Sequence, residues 1–304
     1  MKKFLSALAL TLSMMLTSTA DAAVYQQGVV YVIYETEGDT AVKNTADINK
    51  NGVPDVVEDM ATQINATREL FHDVFKYPDP LGSARYKNVH TIEVDIGAKS
   101  EMKVNGLAYS GVRKKSKHDP KAAALHVKIA NTVDPKKNAT PEHEYFHLIQ
   151  YCSTYFSNKW YLEGMARWSQ DAVSKQKKYP DGRDVSWKLK NKLSEAQIFE
   201  GKYNVAGILW YPLAVSLKDK AKVPKNLMKK YKYVDGSDVF HDNIIYGPNV
   251  MLEVMKLMKS KEAAAAEAFG GAKQWHKSGR RAAQNNKIIL DCVREVYENH
   301  SAQK

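Results

Sequence analysis

His143-Glu144-Tyr145-Phe146-His147 decides how the rest of this sequence is read. The spacing is H-E-x-x-H. On a helix, residues four apart share a face, so both imidazoles point at one spot, where a metal ion takes them as two of its ligands. Glu144 lies about 100° round the helix from His143. Its carboxylate then stands beside the metal, suited to act as general base on water. The flanks agree with a helix over 140–152. Thr140 suits an N-cap and Pro141 the first turn. Phe146, Leu148, Ile149 and Cys152 are apolar, while His143, Glu144, His147, Gln150 and Tyr151 form a polar stripe. Polar groups on a largely buried helix need partners, and a shared ion satisfies several at once.

Zinc needs a third protein ligand. Glu163, in the amphipathic stretch WYLEGMARW (160–168), is the obvious one. Residues 148–162 leave room to end one helix, turn and return antiparallel. Gly164 and Ala166 are small enough to let the second helix approach the first.

HEYFHLIQY (143–151) followed by WYLEGMARW (160–168) resembles the gluzincin type of zinc metallopeptidase. More narrowly, the chain is similar to exported bacterial peptidases that join such a core to an upstream D-x-N-x-N-G-x-P-D segment. The resemblance covers about residues 25–215. It implies a zincin-like fold, Zn2+ at His143, His147 and Glu163, Glu144 as the catalytic base, and a peptide or protein substrate. There is one departure: many gluzincins carry an acidic residue four positions after the glutamate ligand, orienting a histidine. Here that residue is Arg167, and Asp171 or Gln170 are the available replacements.

Upstream, residues 47–58 match D-x-N-x-N-G-x-x-D-x-x-E. Asp47, Asn49 and Asn51 offer side-chain oxygens, Gly52 the sharp turn, Val53 its carbonyl, Asp55 a further carboxylate, and Glu58 a closing ligand at position 12. This is the pattern of a Ca2+ loop. The bland alternative is an Asn/Gly-rich turn ahead of a helix.

Met1-Lys2-Lys3, an apolar run over 4–16 and Ala20-Asp21-Ala22 read as a secretory signal peptide cut after Ala22. The expected mature chain, 23–304, has no membrane span and is secreted or periplasmic. A 44% hydrophobic content is ordinary for a chain with a real core. Net charge is +11, but the basic residues are scattered. That dispersal speaks for a solvated surface with some attraction to acidic surfaces, and no nucleic-acid-binding motif is present. Cys152 and Cys292 leave two readings open, one disulfide or two free thiols.

Residues 29–34, 88–96, 106–112 and 123–130 read as strands. Residues 56–75 have helical spacing. His126 reads as a surface or core histidine, and 114–119 as a solvated charged turn. After Glu163 the pattern is helical: 205–217 with a kink at Pro212, then 249–259, 262–269 and 287–299. The expected architecture is α+β, one zincin-like unit with a mixed sheet in 23–135 and helices in 136–304. Oxyanion donors are sought among Tyr203, Tyr211, Tyr246 and His241. Two functions compete: a zinc endopeptidase, and a calcium-stabilised surface- or matrix-binding protein whose zinc site is structural or vestigial.

Overall fold

The computed structural model describes residues 22–173, 185–268 and 275–302. The predicted leader, residues 1–22, therefore lies almost entirely outside the described residues, as does the end of the alanine-rich helix at Phe269, Gly270 and Gly271.

The chain is α+β, with a mixed five-stranded sheet and eleven α-helices among the described residues. Strands β1 (Ala23–Gln27), β2 (Val30–Tyr34), β3 (Thr91–Gly97), β4 (Gly106–Ala108) and β5 (Ala124–Ala130) lie in the order β1-β2-β3-β5-β4. β2, β3 and β5 run parallel; β1 and β4 are antiparallel to their neighbours. Side chains alternate between faces along a strand. Val30, Val32, Ile92, Val94, Leu125, Val127 and Ile129 are therefore in register on one buried face. Helices α1 (Asp55–Glu69) and α3 (Thr140–Ser153) pack on the sheet and against each other.

The other face of the sheet carries Glu93 and Asp95. The charged turn over 114–119 is solvated at Lys114, Lys115, Lys117 and Asp119, as its composition suggests, but it buries Ser116 and half-buries His118. It folds back across this face, where Glu93 accepts hydrogen bonds from Ser116 Oγ (2.7 Å), the Lys117 amide (2.6 Å), His118 Nδ1 (2.8 Å) and Arg113 Nη1 (2.6 Å). A fully buried carboxylate needs such partners, and the turn supplies them. Only three residues of the strand expected over 106–112 join the sheet. Tyr109 instead stacks on His126 at 4.1 Å.

α1 continues through one wider turn, Leu70–Val74, before the chain reaches Pro78. α4 (Lys159–Ser169) returns beside α3. Beyond it come α5 (Ser186–Lys190), α6 (Lys192–Glu200), α7 (Tyr211–Ser216), the hairpin β6 (Lys220–Lys222) and β7 (Ile244–Tyr246) around α8 (Lys225–Lys230), then α9 (Pro248–Glu267), α10 (Lys277–Arg280) and α11 (Asn285–Ser301). The helix expected over 205–217 is split: a wide turn at Ala206–Trp210 precedes α7, because Pro212 lacks an N–H to continue the ladder upstream. The two helices expected at 249–259 and 262–269 are one helix, α9. One buried apolar cluster runs from Val30 on β2 to Val296 on α11. No helix among the described residues is long and apolar enough to cross a membrane. Cys152 and Cys292 are both free thiols, so no disulfide joins them.

Candidate metal centre

α3 opens at Thr140, which is the first helical residue and not the cap. The N-cap is Ala139, and the Thr140 amide and hydroxyl both donate to Asn138 Oδ1, which captures the side chain that was to cap the helix. His143 and His147, one turn apart, lie with ring centroids 4.7 Å apart at nearly right angles. α4 carries Glu163 to the same point: Glu163 Oε2 is 3.3 Å from His143 Nε2 and 3.6 Å from His147 Nε2. Among the described residues, these three are the only cluster of three or more acidic, histidine or cysteine side chains close enough to share an ion.

The donors fit a small tetrahedral metal. Bonds of about 2.0–2.1 Å at tetrahedral angles separate neighbouring ligand atoms by about 3.3 Å, and the two separations here are 3.3 and 3.6 Å. The tautomer of His147 also follows from its surroundings. Gln150 Nε2 donates to the carbonyls of Tyr161 (3.4 Å) and Leu162 (3.2 Å), which turns Oε1 toward His147 Nδ1 at 2.8 Å. Nδ1 then carries a proton, and Nε2 is the nitrogen turned toward Glu163, the one that would ligate a metal. His143 Nδ1 is buried with no hydrogen-bond partner.

Electrostatics separate the two carboxylates. Burial alone would raise Glu163, but hydrogen bonds from His143 and His147 overcome it and hold the carboxyl well below its usual range. Burial pushes Glu144 up to about 7, helped by the negative Glu163 and opposed by His147 and by a hydrogen bond from the Ala108 backbone. Burial pulls His143 down to about 4, leaving it neutral and able to ligate. Glu144 is thus next to the cluster without belonging to it. Two residues of β4 fix it there: Ala108 through that backbone bond, and Gly106 by having no side chain. A Cβ on Gly106 would lie 2.5 Å from Glu144 Cγ and 2.7 Å from Cδ.

No family model, curated protein or solved structure matches this chain.

A cavity of about 380 Å³ opens onto His143, Glu144 and Tyr203. Of the four oxyanion candidates, the structure brings only Tyr203 here, its ring 5.8 Å from that of His143. Burial and the Glu163 carboxylate push its phenol up to about 12, so it stays protonated. Tyr211, Tyr246 and His241 lie by the end of α4: the Tyr211 hydroxyl donates to the Trp168 carbonyl, the Tyr246 carbonyl accepts from Trp168 Nε1, and the His241 amide donates to the Ala172 carbonyl. Neither Asp171 nor Gln170 takes the orienting role left open by Arg167. Gln150 does so for His147, while Gln170 Nε2 donates to the Ala139 carbonyl and its Oε1 accepts from Arg167 at 2.5 Å. The position of Gln150, three residues beyond His147 on one helix, was the available signal. Gly164 faces not α3 but Trp210 Nε1 and Val205 Cβ, at 2.8 and 2.9 Å from a built Cβ.

The loop over 47–58 is closed by its own hydrogen bonds. Asp47 accepts from the amides of Asn51 (3.1 Å) and Gly52 (2.8 Å), and Asn51 Oδ1 from the Val53 amide (2.8 Å). The side-chain amides of Asn49 and Asn51 donate to the two Glu58 oxygens, each at 2.9 Å. Asp55 Oδ1 accepts from the Ile48 amide, whereas Asp55 Oδ2 is buried without a partner. Gly52 takes φ +84°, the turn conformation that glycine adopts without strain.

Proposed function

We propose that this protein is an exported zinc-dependent peptidase of gluzincin type. One observation carries the reading: Glu144 is held by β4 at the mouth of the cavity, adjacent to His143, His147 and Glu163 yet outside their cluster. A purely structural metal site has no use for a buried, unclustered carboxylate in that position.

Zinc bound at the three donors supplies Lewis acidity toward a water molecule and the scissile carbonyl. The chain's own residues do the rest. Glu144 accepts a proton from water and returns it to the leaving amine nitrogen. Tyr203 donates its O–H to the oxygen on which negative charge develops. β4 is an edge strand, and its open side offers backbone groups to an extended peptide of any sequence. The loop over 47–58 binds Ca2+ and pins the start of α1. Its array of side-chain oxygens and the unpartnered Asp55 Oδ2 support that assignment.

Zinc content and cleavage of a mixed peptide library, with and without chelator, test the reading. Glu144→Gln should keep about one equivalent of zinc and lose about 10²-fold or more in turnover, the scale of a lost general base. Glu163→Ala should weaken zinc binding itself, since two protein ligands hold the ion poorly. Parental cleavage rates in Glu144→Gln would overturn the mechanism. A fully zinc-loaded parent that cleaves nothing would leave the surface- or matrix-binding function in its place.

A further inference from the structure

We propose that the cavity beside Glu144 is a subsite for a carboxylate on the substrate, with Arg167 and Lys99 as the selecting residues. The inference rests on the peptidase reading and concerns which peptides are taken.

Arg167 lies one turn beyond Glu163 on α4, so it shares that helix face and reaches the same cavity. Its hydrogen-bond partner is Gln170 Oε1, a neutral group, and among the described residues it forms no ion pair with a carboxylate. Lys99, on α2 (Lys99–Met102), lines the cavity too and is likewise bonded to a neutral group, Asn105 Oδ1, at 2.6 Å. Arg113, Arg68 and Arg294 pair with carboxylates, and the half-buried Arg85 and Arg280 donate to backbone carbonyls and lie over the Tyr155 ring; Arg167 is the exposed arginine that faces a cavity. Two cations thus line one cavity with neutral amide oxygens as their hydrogen-bond partners, while Glu163 is engaged by the two histidines.

The rest of the lining agrees. Asn105, Asn138, Thr140 and Gln170 are polar, and Val104 is the one aliphatic side chain present. An apolar residue seated here would draw a lining of mostly polar and charged groups out of water, which disfavours it. A carboxylate would accept from them and take the guanidinium in a two-pronged bond. The shared chemistry is a peptide carboxylate, from either an Asp or Glu side chain near the scissile bond or the chain's own C-terminus.

Matched peptides differing only as Glu against Gln, each as free acid and as C-terminal amide, test this on the zinc-loaded full chain. The parent should favour a carboxylate-bearing peptide at least 10-fold in kcat/KM. Arg167→Gln should bring that ratio close to one, Lys99→Gln should lower it, and Arg167→Glu should turn the preference toward lysine peptides. A preference that survives amidation assigns the carboxylate to a side chain; one that vanishes assigns it to the C-terminus. Binding of the same peptides, fluorescently labelled, to Glu144→Gln protein gives a readout without turnover. Tighter binding of the carboxylate peptide that is lost with Arg167 upholds the subsite even if the parent cleaves nothing. Equal cleavage and equal binding of Glu and Gln peptides by the parent would overturn the subsite and leave the peptidase reading intact.

Discussion

Gly106→Ala should disable the protein through Glu144 while leaving its metal site and its fold alone. The added methyl would lie 2.5 Å from Glu144 Cγ and 2.7 Å from Cδ, where ordinary contact begins at 3.4 Å. β4 is fixed by its ladder to β5, with Gly106 opposite Ile129 and Ala108 opposite Val127, so the side chain must give way. Glu144 has to retreat by about 1 Å, and a 1 Å misplacement of a reacting group costs about 10²-fold in rate. Stability should change little. The cavity leaves the carboxylate room to swing, and alanine is favoured over glycine within a strand by roughly 0.5–1 kcal/mol. The assay is kcat/KM on a peptide the parent cleaves, with zinc content and melting temperature measured on the same preparation. Rate should fall about 10²-fold with zinc and melting temperature unchanged. Gly111→Ala is the control, because a Cβ there meets nothing within 4 Å. A double-mutant cycle isolates the route: added to Glu144→Gln, Gly106→Ala should cost nothing further. A Gly106→Ala protein at the parental rate, or losses that simply add, would refute the idea that β4 sets the position of Glu144.

Two further outcomes follow from other parts of the fold. Hydrogen bonds from Ser116, His118 and Arg113 overcome the burial of Glu93 and pull its carboxyl down to about 2. A folded pKa below the unfolded one gives stability that is full above about pH 4.5 and is lost as pH falls toward 2. The ceiling is about 3 kcal/mol, reduced to about 1–2 because Arg113 and Lys117 reach solvent. Urea unfolding of Glu93→Gln should therefore show lower stability at pH 7 and a flatter acid profile; equal profiles for parent and variant would exclude this. For the loop over 47–58, Ca2+ should raise the melting temperature of zinc-loaded protein by mass action, and Asp47→Ala should abolish the rise. Identical melting curves with Ca2+, Mg2+ and no added ion would contradict a calcium role.

The His143, His147 and Glu163 cluster was legible because its information is largely local. Helical periodicity puts His143 and His147 one turn apart, and the short connection to the next amphipathic segment lets α4 return against α3 and bring Glu163 to them. The parallel strands were legible for the same reason: a short run of β-branched residues needs no distant partner to be recognised. What escaped depends on pairs far apart in sequence. Glu93 is 23–25 residues from the turn that satisfies it, and from sequence that turn is only a run of charge. Gly164 reads as a contact to the preceding helix, yet its neighbours, Val205 and Trp210, are about forty residues downstream. Arg167 stood out as a departure, but only the cavity shows that it faces the same space as Glu144.

β4 shows how these distant pairs converge on the site. One edge of this three-residue strand is laddered to β5. On the side of α3 it supplies the Ala108 backbone bond to Glu144 and the gap at Gly106 that the carboxylate occupies. The chain after it is pinned twice: Tyr109 stacks on His126, and Arg113 exchanges backbone hydrogen bonds with Ala124 at 2.9 and 3.0 Å. Arg113 is also the guanidinium that pairs with Glu93 and Asp95. The ionic cluster on one face of the sheet and the Glu144 carboxylate over the other are thus tied by the same short segment, residues 106–113. Three paired residues at a sheet edge would fray if left alone. The buried charges beneath the sheet hold the segment's far end, and that anchorage steadies the strand whose Gly106 and Ala108 meet Glu144.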